Sequence, residues 1–523
     1  MRREALLVFF VLPALAPAAP TCAVCHQRIA ESWMHTGMAR SLARPAGDEP
    51  HRPVTVHNPA AGRYDEIFRD ARGLQQSEYQ LDPDGKTIFR VTYPIEWVVG
   101  SGTTGHTYIV RRGGSLFQAP LSFYARRHSW ALSPGYEHRD QGFNRPILPV
   151  CVSCHGGVSG QGIGCRDCHG DGQTHAASGG AGVIVNPAKL PSRLAEDVCM
   201  RCHQDGDARI LQPGKREEDF RPGRPLAETV ALFKVPGREA GDAAELLDHH
   251  FAMRQSRCFT ASAGRLGCLT CHDPHAQPSP AQAAAWYRSK CLGCHAESAC
   301  SLPRARRGPD DDCAACHMPR RDLRQVSHAA LTLHRIVRRL GQPVPEAPSN
   351  LPDLVYLNGS PGDLPRVTLL QAYAQLADRA AVYQAHYLEL LEEVRRSEPR
   401  DPFVLAAVGR KALREGDPRA VEFLEQAVAA AASPVPYQDL AEALTRAGRG
   451  GAAVQVLRRG LDRFPFEQVL WKRLASGYIA LGQHPAARDI LVRYLDLFPE
   501  DTFMREMLRK FDAAYSKRSI SPR

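Results

Sequence analysis

No cysteine follows Cys316 in this chain of 523 residues. That absence excludes disulfides and cysteine-attached cofactors from everything beyond this point. Long hydrophobic runs are also missing after residue 20, which excludes a later membrane-spanning helix. The sixteen cysteines therefore crowd into the first part of the chain, and their spacing carries most of the information.

Seven copies of Cys-x-x-Cys-His use fourteen of the sixteen cysteines. Numbered in chain order as motifs 1 to 7, they are Cys22-Ala-Val-Cys25-His26, Cys151-Val-Ser-Cys154-His155, Cys165-Arg-Asp-Cys168-His169, Cys199-Met-Arg-Cys202-His203, Cys268-Leu-Thr-Cys271-His272, Cys291-Leu-Gly-Cys294-His295 and Cys313-Ala-Ala-Cys316-His317. In this motif two thiols attach to the vinyl groups of a haem, and the adjacent histidine becomes the proximal iron ligand. Zinc knuckles or a disulfide framework do not explain why a histidine follows every second cysteine. The sequence therefore predicts seven covalent c-type haems.

The first nineteen residues have the pattern of a secretory signal. A basic start at Arg2 and Arg3 precedes an apolar stretch at 5–15 and small residues at 16–18. The apolar stretch is too short for a membrane-spanning helix. Covalent haem attachment takes place outside the cytoplasmic membrane, so we expect a periplasmic or secreted protein with a cleaved signal peptide at 1–19.

The formal net charge of +10 does not indicate a nucleic-acid partner. Each haem brings two propionates, so seven haems add about fourteen carboxylates to the count. Bound iron offsets part of that charge and leaves a holoprotein much nearer neutral. Arginines that neutralise propionates or lie on a solvated surface explain the basic composition.

From about Arg366 the composition changes to Ala, Leu, Glu and Arg with helical periodicity. Prolines at 399, 434, 465 and 499 are spaced by 35, 31 and 34 residues, which brackets the period of tetratricopeptide repeats. Small-residue turns at 415–417, 447–449 and 481–483 separate two amphipathic helices in each unit. The pattern predicts a separately folding tetratricopeptide-repeat solenoid at 366–515. A proline-rich linker at 341–365 is predicted before it, and a basic tail at 516–523 after it.

The haem-bearing part is expected at 20–340. Between motifs 1 and 2 lie about 125 residues without cysteine, where strands are predicted at 87–93 and 107–111 with glycine turns at 100–102 and 112–114. This pattern predicts a small β-rich insertion at about 50–145. The other six motifs crowd into 151–317, too few residues per haem for an ordinary side-chain core, so folding should depend on haem attachment.

The predicted fold class is mainly α. It consists of a haem-packed multihaem cytochrome c domain with a small β-rich insertion, followed by the helical solenoid.

Several segments carry a family resemblance. The run Gly162-Ile-Gly-Cys165-Arg-Asp-Cys168-His169-Gly170-Asp-Gly172-Gln-Thr-His175 resembles the signature of cytochrome c-554-type multihaem proteins. Segments 271–275, 316–319 and 328–336 are similar to the same c-552/c-554-like superfamily, which is related to pentahaem nitrite reductases and octahaem hydroxylamine oxidoreductases. The resemblance covers most of 21–336. Fusion of such a region to tetratricopeptide repeats resembles a group of secreted bacterial multihaem proteins.

Each iron that only carries electrons needs a sixth ligand. The resemblance marks four histidines as distal candidates: His175, His275, His328 and His334. The adjacent His249 and His250 supply one more, with His250 selected and the choice between the two left open.

The first haem has a different set of candidates. His35 and Met38 are three residues apart and share a helical face, so only one needs to reach the iron. Met38 is favoured, and a thioether there would raise the reduction potential. Relatives tend to have a histidine at the position of Thr104, whereas this chain has His106, two residues along a strand and on the same face. His106 is therefore a candidate ligand too.

Cys258 and Cys300 belong to no motif. In an oxidising compartment a disulfide between them is the simplest interpretation, and two isolated thiols are the alternative.

Electron transfer between redox partner proteins is the preferred function, with the repeats docking a partner. The alternative is an oxidoreductase of small nitrogen or sulfur compounds such as nitrite, hydroxylamine or sulfite, which needs one open iron. No motif departs from Cys-x-x-Cys-His, so the lysine-ligated catalytic haem of the nitrite reductases is absent. A third possibility is a scaffold in which the haems are secondary. No catalytic residue is assigned, and no nucleic acid and no membrane span in the mature chain are expected.

Overall fold

The computed structural model describes residues 22–47, 50–136, 140–156, 162–236, 248–320, 332–343, 345 and 348–519. The predicted signal peptide and His328 lie outside the described residues. Within these ranges, none of the helices combines the length and the apolar character needed to cross a membrane.

Ten antiparallel strands between motifs 1 and 2 form one large sheet. Two short helices precede it, α1 (Cys22–Cys25) and α2 (Gln27–Met34). The strands are β1 (Leu42–Ala43), β2 (Val54–Asn58), β3 (Arg63–Asp70), β4 (Gly73–Leu81), β5 (Thr87–Val99), β6 (Gly105–Arg112), β7 (Ser115–Gln118), β8 (Leu121–Tyr124), β9 (Ser129–Leu132) and β10 (Arg145–Pro146). Their order is β10-β7-β6-β5-β4-β3-β2, with β1 beside β5 and β8 pairing with both β6 and β9.

The prediction of a small insertion within a haem-packed helical domain is wrong, because this sheet dominates the N-terminal region. The reason lies in β4, where polar residues occupy buried positions: Gln75, Gln76 and Ser77 are 0% exposed and Glu78 is 1% exposed. Gln76 is accommodated because its amide both accepts from and donates to the backbone of Leu121 at 3.0 Å. A strand that buries polar side chains does not show the alternation by which strands are predicted.

Nine short helices lie in the described part of the chain between 149 and 317. They are α3 (Pro149–His155), α4 (Cys165–His169), α5 (Gln173–Ala177), α6 (Ser192–His203), α7 (His249–Arg254), α8 (Arg257–Ala261), α9 (Cys268–Cys271), α10 (Pro280–Leu292) and α11 (Cys313–His317). Strands β11 (Ala208–Leu211) and β12 (Val230–Lys234) form a hairpin among them. Helices α8 to α11 contain no buried side chain. Side chains alone therefore do not build an interior around these four helices.

Helices also form the C-terminal region, as the periodicity predicts. After β13 (Val355–Tyr356) come α12 (Arg366–Leu376), α13 (Ala381–Ser397), α14 (Pro402–Glu415), α15 (Ala420–Ala429), α16 (Val435–Arg446), α17 (Gly450–Arg463), α18 (Gln468–Ala480), α19 (His484–Leu497) and α20 (Thr502–Ser519). The predicted turns after α14, α16 and α18 contain Gly416, Gly448 and Gly482 at φ of +73°, +73° and +69°. Only glycine adopts this left-handed conformation without strain, so the predicted helix–turn–helix units are confirmed.

The segment 341–365, predicted to be a linker, takes part in the fold. β13 pairs with β12 through Phe233 opposite Tyr356, whose rings lie 5.3 Å apart. Both residues are buried in one cluster with Leu370 and Val394 from the first helical pair. The haem-bearing region and the repeats therefore share a hydrophobic core and are not joined by a loose tether.

A second contact joins the repeats to the large sheet. Phe466, from the turn before α18, packs edge-on against Phe117 of β7 at 4.9 Å. The buried Arg112 guanidinium lies 5.0 Å from the Phe466 ring and donates hydrogen bonds to the carbonyls of Phe143, at 2.8 Å, and Leu497. One cation thus connects backbone groups of the sheet and of the repeats.

Candidate haem sites

All seven motifs lie on or directly after short helices. Both cysteines and the histidine of motifs 2, 3, 4 and 7 lie within α3, α4, α6 and α11. Motifs 1 and 5 place both cysteines in α1 and α9 with the histidine just beyond, and motif 6 begins in the last turn of α10. Residues three apart on a helix share a face, so the two thiols of motifs 1 to 5 and of motif 7 lie on one side with the histidine next to them.

Local hydrogen bonds start two of these helices at the first cysteine. In motif 3 the Asp167 carboxylate accepts from the Gly164 amide at 2.8 Å. Before motif 7 the Asp312 carboxylate accepts from the Ala314 amide at 2.9 Å. Such caps satisfy amides that have no partner within the helix.

Backbone carbonyls hold four of the candidate histidines through Nδ1. The contacts are His169 with Val185 at 2.7 Å, His175 with Gly182 at 2.9 Å, His317 with Val337 at 2.7 Å and His334 with Thr332 at 3.0 Å. A carbonyl oxygen only accepts, so Nδ1 carries the proton and Nε2 keeps its lone pair. Histidines that bind metals through Nε2 are commonly oriented in this way.

Three motif histidines face a second histidine that is distant in the sequence. The ring centroids are 6.3 Å apart for His26 and His175, 5.9 Å for His169 and His275, and 6.0 Å for His272 and His334, with interplanar angles of 10°, 10° and 33°. Two imidazoles bound to one iron at roughly 2 Å each would have ring centroids about 6 Å apart. The geometry therefore offers axial pairs to motifs 1, 3 and 5.

Motif 4 faces His249 and not the selected His250. The ring centroids of His203 and His249 are 5.4 Å apart at 54°. His250 points instead to Glu196, with its Nε2 2.8 Å from the carboxylate. Nothing in the local sequence separates these two neighbours, because the turn that starts α7 decides which of them faces the motif.

Met38, the ligand favoured for the first haem, is not what the structure places opposite His26. That position belongs to His175, which the sequence marks as a ligand without identifying its haem. Met38 and His35 lie in the turn after α2, where the Gly37 amide donates to Gln277 at 2.8 Å. The side chain opposite His26 therefore comes from a distant segment of the chain and not from the residues that follow motif 1.

The other predicted ligands are distributed as follows. His106 lies on β6 with its ring centroid 6.4 Å from those of Tyr108 and Phe123. His155, in α3, is the proximal candidate of motif 2, and His295 follows α10 as that of motif 6. Distal candidate His328 falls outside the described residues, so its prediction remains open.

Burial keeps several of these imidazoles neutral. Burial, with the nearby His203, lowers the pKa of His155 to about 4. Burial, with the nearby His272, also lowers the pKa of His334 to about 4. His249 has a pKa well below its usual value for the same reasons. The neutral imidazole is the form that binds a metal ion, so the interior favours ligation.

Thiols of different motifs touch one another. A thiol of another motif helps to raise the pKa of four cysteines: Cys22 acts on Cys165, Cys154 on Cys202, Cys268 on Cys199 and Cys313 on Cys291. These contacts connect motif 1 with 3, 2 with 4, 4 with 5, and 6 with 7. The neighbouring Cys202 thiol lowers the pKa of Cys154 to about 7, whereas burial raises the pKa of Cys168 to about 11.

Cys258 and Cys300 are both free in the structure, so the expected disulfide is not observed. Cys258 is half-buried and Cys300 is exposed. Burial, with the nearby Cys294 of motif 6, raises the pKa of the Cys258 thiol. The Cys258 side chain therefore lies close to a haem attachment motif.

The residues present fit a covalently attached haem. The thiols of six motifs lie in pairs on one helical face, proximal histidines follow them, and a second imidazole faces three of the motif histidines at the spacing of two axial ligands. Helices α8 to α11, which carry motifs 5 to 7, have no side-chain core of their own, as expected where a porphyrin supplies the interior.

Comparison with known families gives one match. Residues 261–299, which contain motifs 5 and 6, match the family described as "Doubled CXXCH motif". The match supports covalent haem c binding by a multihaem c-type protein. No curated protein matches the chain.

Some solved structures resemble a part of the chain. MamA 41-end from Desulfovibrio magneticus RS-1 is 19% identical with a TM-score of 0.25, over 29% of this chain and 86% of that one. The first TPR of Spaghetti (RPAP3) bound to the HSP90 peptide SRMEEVD is 21% identical with a TM-score of 0.20, over 22% of this chain and 93% of that one. At these TM-scores neither likeness carries an argument, and the helical repeats stand on the helices and turns described above.

Proposed function

We propose that the protein is a multihaem c-type cytochrome that carries electrons between redox partner proteins. The seven complete motifs support seven haems, one at each motif. The motif resemblance supports placing the haem region in the cytochrome c-552/c-554-like superfamily. Haem c, when bound, supplies a one-electron Fe(III)/Fe(II) couple.

The facing histidine pairs carry this proposal. His175, His275 and His334 each lie opposite a proximal histidine, so the two imidazoles of each pair would hold a haem iron from both sides. A site closed in this way passes electrons and does not bind a substrate. His175 and His334 each donate a hydrogen bond from Nδ1 to a backbone carbonyl. These bonds fix the orientation of both rings.

Contacts between the motifs support a continuous route. The thiol pairs join motif 1 to 3, and motif 4 to both 2 and 5, while motif 6 touches 7. Asp167 of motif 3 lies 3.3 Å from Arg201 of motif 4, and α9 with motif 5 contacts α10, whose last turn begins motif 6. The proposed order is 1–3–4–5–6–7, with motif 2 branching from 4.

Docking of a partner is proposed for the helical repeats, because stacked helical pairs present an extended surface. Phe503 on α20 is 70% exposed and Met507, one turn later, is 37% exposed. Replacing Phe503 with Ser should slow reduction of the holoprotein by a periplasmic extract and leave its spectrum unchanged. Equal rates would contradict docking at this end of the repeats.

The site of action is proposed to be the periplasm or the exterior of the cell. Support comes from the signal-like first nineteen residues and from the place where covalent haem attachment occurs.

Mass spectrometry and ligand titration of the secreted holoprotein test the proposal. The mature chain should carry seven haem mass increments, and cyanide should leave the ferric spectrum unchanged. Fewer increments in fully matured protein would contradict the count. Cyanide binding to one iron per chain would indicate an open coordination site and reassign the protein to the oxidoreductases of small nitrogen or sulfur compounds.

A further inference from the structure

Three motifs meet at a single arginine. Arg201, the residue before the second cysteine of motif 4, has a side chain only 3% exposed. Its Nη1 lies 3.3 Å from the carboxylate of Asp167, and its Nη2 donates to the carbonyl of Ser153 at 3.4 Å. Asp167 and Ser153 occupy the same position in motifs 3 and 2. One guanidinium therefore connects motifs 2, 3 and 4 through equivalent residues.

The surroundings of Arg201 are tight and largely apolar. Its guanidinium carbon lies 5.7 Å from the ring centre of Phe220, a residue buried in the apolar cluster behind α6. The Cys154 sulfur contacts the Arg201 carbonyl at 3.7 Å, and the Cys202 sulfur contacts the Cys154 carbonyl at 3.9 Å. The cation is thus held beside thiols of two motifs.

Stability alone does not explain this ion pair. Moving two charges out of water costs free energy that their attraction offsets only in part, and apolar replacements of similar size are often as stable. A lysine would keep the charge but not both contacts, because only the planar guanidinium has several donors that reach two acceptors at once. Both the charge and the planar shape of the Arg201 side chain are therefore used at this position.

We propose that Arg201 and Asp167 are positioning residues that set the reduction potentials at the branch of the route. This inference rests on the proposed function. Reduction adds one negative charge to a haem, so a permanent cation nearby stabilises the reduced form, and a carboxylate opposes it. In an interior that screens charge weakly, both effects persist. Arg201 raises the potentials at motifs 2, 3 and 4, and Asp167 lowers them.

Spectroelectrochemical titration of the holoprotein tests this inference. Arg201→Met should shift the titration curve to lower potential, and Asp167→Asn should shift it to higher potential. Arg201→Lys keeps the charge and should stay close to wild type. If the two residues had only a structural role, Arg201→Met and Arg201→Lys would shift the potentials alike, or Arg201→Met and Asp167→Asn would shift them in the same direction. Either result would overturn the inference.

Two controls separate the possible failures. Arg63 forms another ion pair of low exposure, with Glu78 in the sheet at 2.7 Å. Arg63→Met removes this cation and should leave the reduction potentials unchanged. Haem-bearing peptides of the wild type show whether motifs 2, 3 and 4 are occupied. Missing haem there would contradict the proposed function, whereas occupied motifs without opposite shifts would contradict only this inference. If Arg201→Met does not fold, the direction of the Asp167→Asn shift decides.

Discussion

His249 and His334 lie with their ring centroids 4.1 Å apart, closer to each other than either is to the motif histidine that it faces. His249 belongs to the pair with His203 of motif 4, and His334 to the pair with His272 of motif 5. The two distal candidates therefore pack together where motifs 4 and 5 meet. Burial lowers the pKa of both rings, with added repulsion from His334 on His249 and from His272 on His334, so the contact is between neutral imidazoles.

The neighbouring His249 and His250 form a matched pair of variants. His249→Ala should convert the haem at motif 4 from low-spin to high-spin, because His203 loses the imidazole opposite it. His250→Ala removes the contact with Glu196 and should leave the spin state unchanged. Electron paramagnetic resonance of the ferric holoprotein distinguishes the two. A high-spin signal in His250→Ala alone would reverse the assignment.

The first haem provides a similar test across the fold. His175→Ala should give one high-spin haem, because the structure places His175 opposite His26. Met38→Leu should leave the spectrum as in the wild type. His57→Ala, an exposed position on β2, serves as the control. Loss of a low-spin signal in Met38→Leu would restore the local candidate that the sequence favours.

Both cysteines outside the motifs should react as thiols. Iodoacetamide added to the denatured, unreduced holoprotein should alkylate Cys258 and Cys300, while the motif cysteines are blocked as thioethers. Peptide masses provide the measurement. A cross-linked pair of peptides containing Cys258 and Cys300 would show that the disulfide expected from the compartment forms after all.

The shared core should make the haem region and the repeats unfold together. Phe233 is 0% exposed, so Phe233→Ala should destabilise the holoprotein by about 3–5 kcal/mol. Haem absorbance and far-ultraviolet circular dichroism should report the same lowered unfolding midpoint. Phe503→Ala, at an exposed position, should stay within about 0.5 kcal/mol. Two separate transitions would show that the repeats are an independent domain, as the sequence predicts.

Stability should fall as the pH rises, because of two buried acids in the sheet. Burial raises the pKa of Glu78 from 4.5 to about 8. The Arg63 guanidinium opposes this shift, and the Asp140 and Glu500 carboxylates add to it. Burial and the Glu78 carboxylate raise the pKa of Asp65 well above its usual value. The folded state then binds more protons than the unfolded state between pH 4.5 and about 8, so the free energy of unfolding decreases through that window.

Asp65→Asn removes one of these acids and should flatten the decrease. Neither Asp65 oxygen accepts a hydrogen bond from the described residues, so the amide loses no existing contact. Denaturation at pH 5 and at pH 8 is the measurement, and Asp84→Asn on an exposed turn is its control. An unchanged pH dependence would mean that Asp65 is ionised in the folded protein.

Much of the repeat region could be predicted, because its signals are local. Gly416, Gly448 and Gly482 mark turns that need a left-handed residue, and the intervening helices follow their apolar periodicity. The extent of the sheet could not be predicted, since β4 buries Gln76 and Glu78. Neither could the role of Tyr356, which lies in a proline-rich stretch but pairs with β12. Long-range packing, and not local preference, decides such positions.

By itself the sequence determined which residues carry the haem attachment motif, because Cys-x-x-Cys-His needs only five consecutive residues on one short helix. It also determined the positions of the repeat turns. Only the tertiary structure decided which histidine faces which motif: His175 opposite His26, His275 opposite His169, and His249 in place of His250. An axial pair is a contact between segments far apart in the chain, so its partners depend on how the whole chain packs and not on their neighbours in sequence.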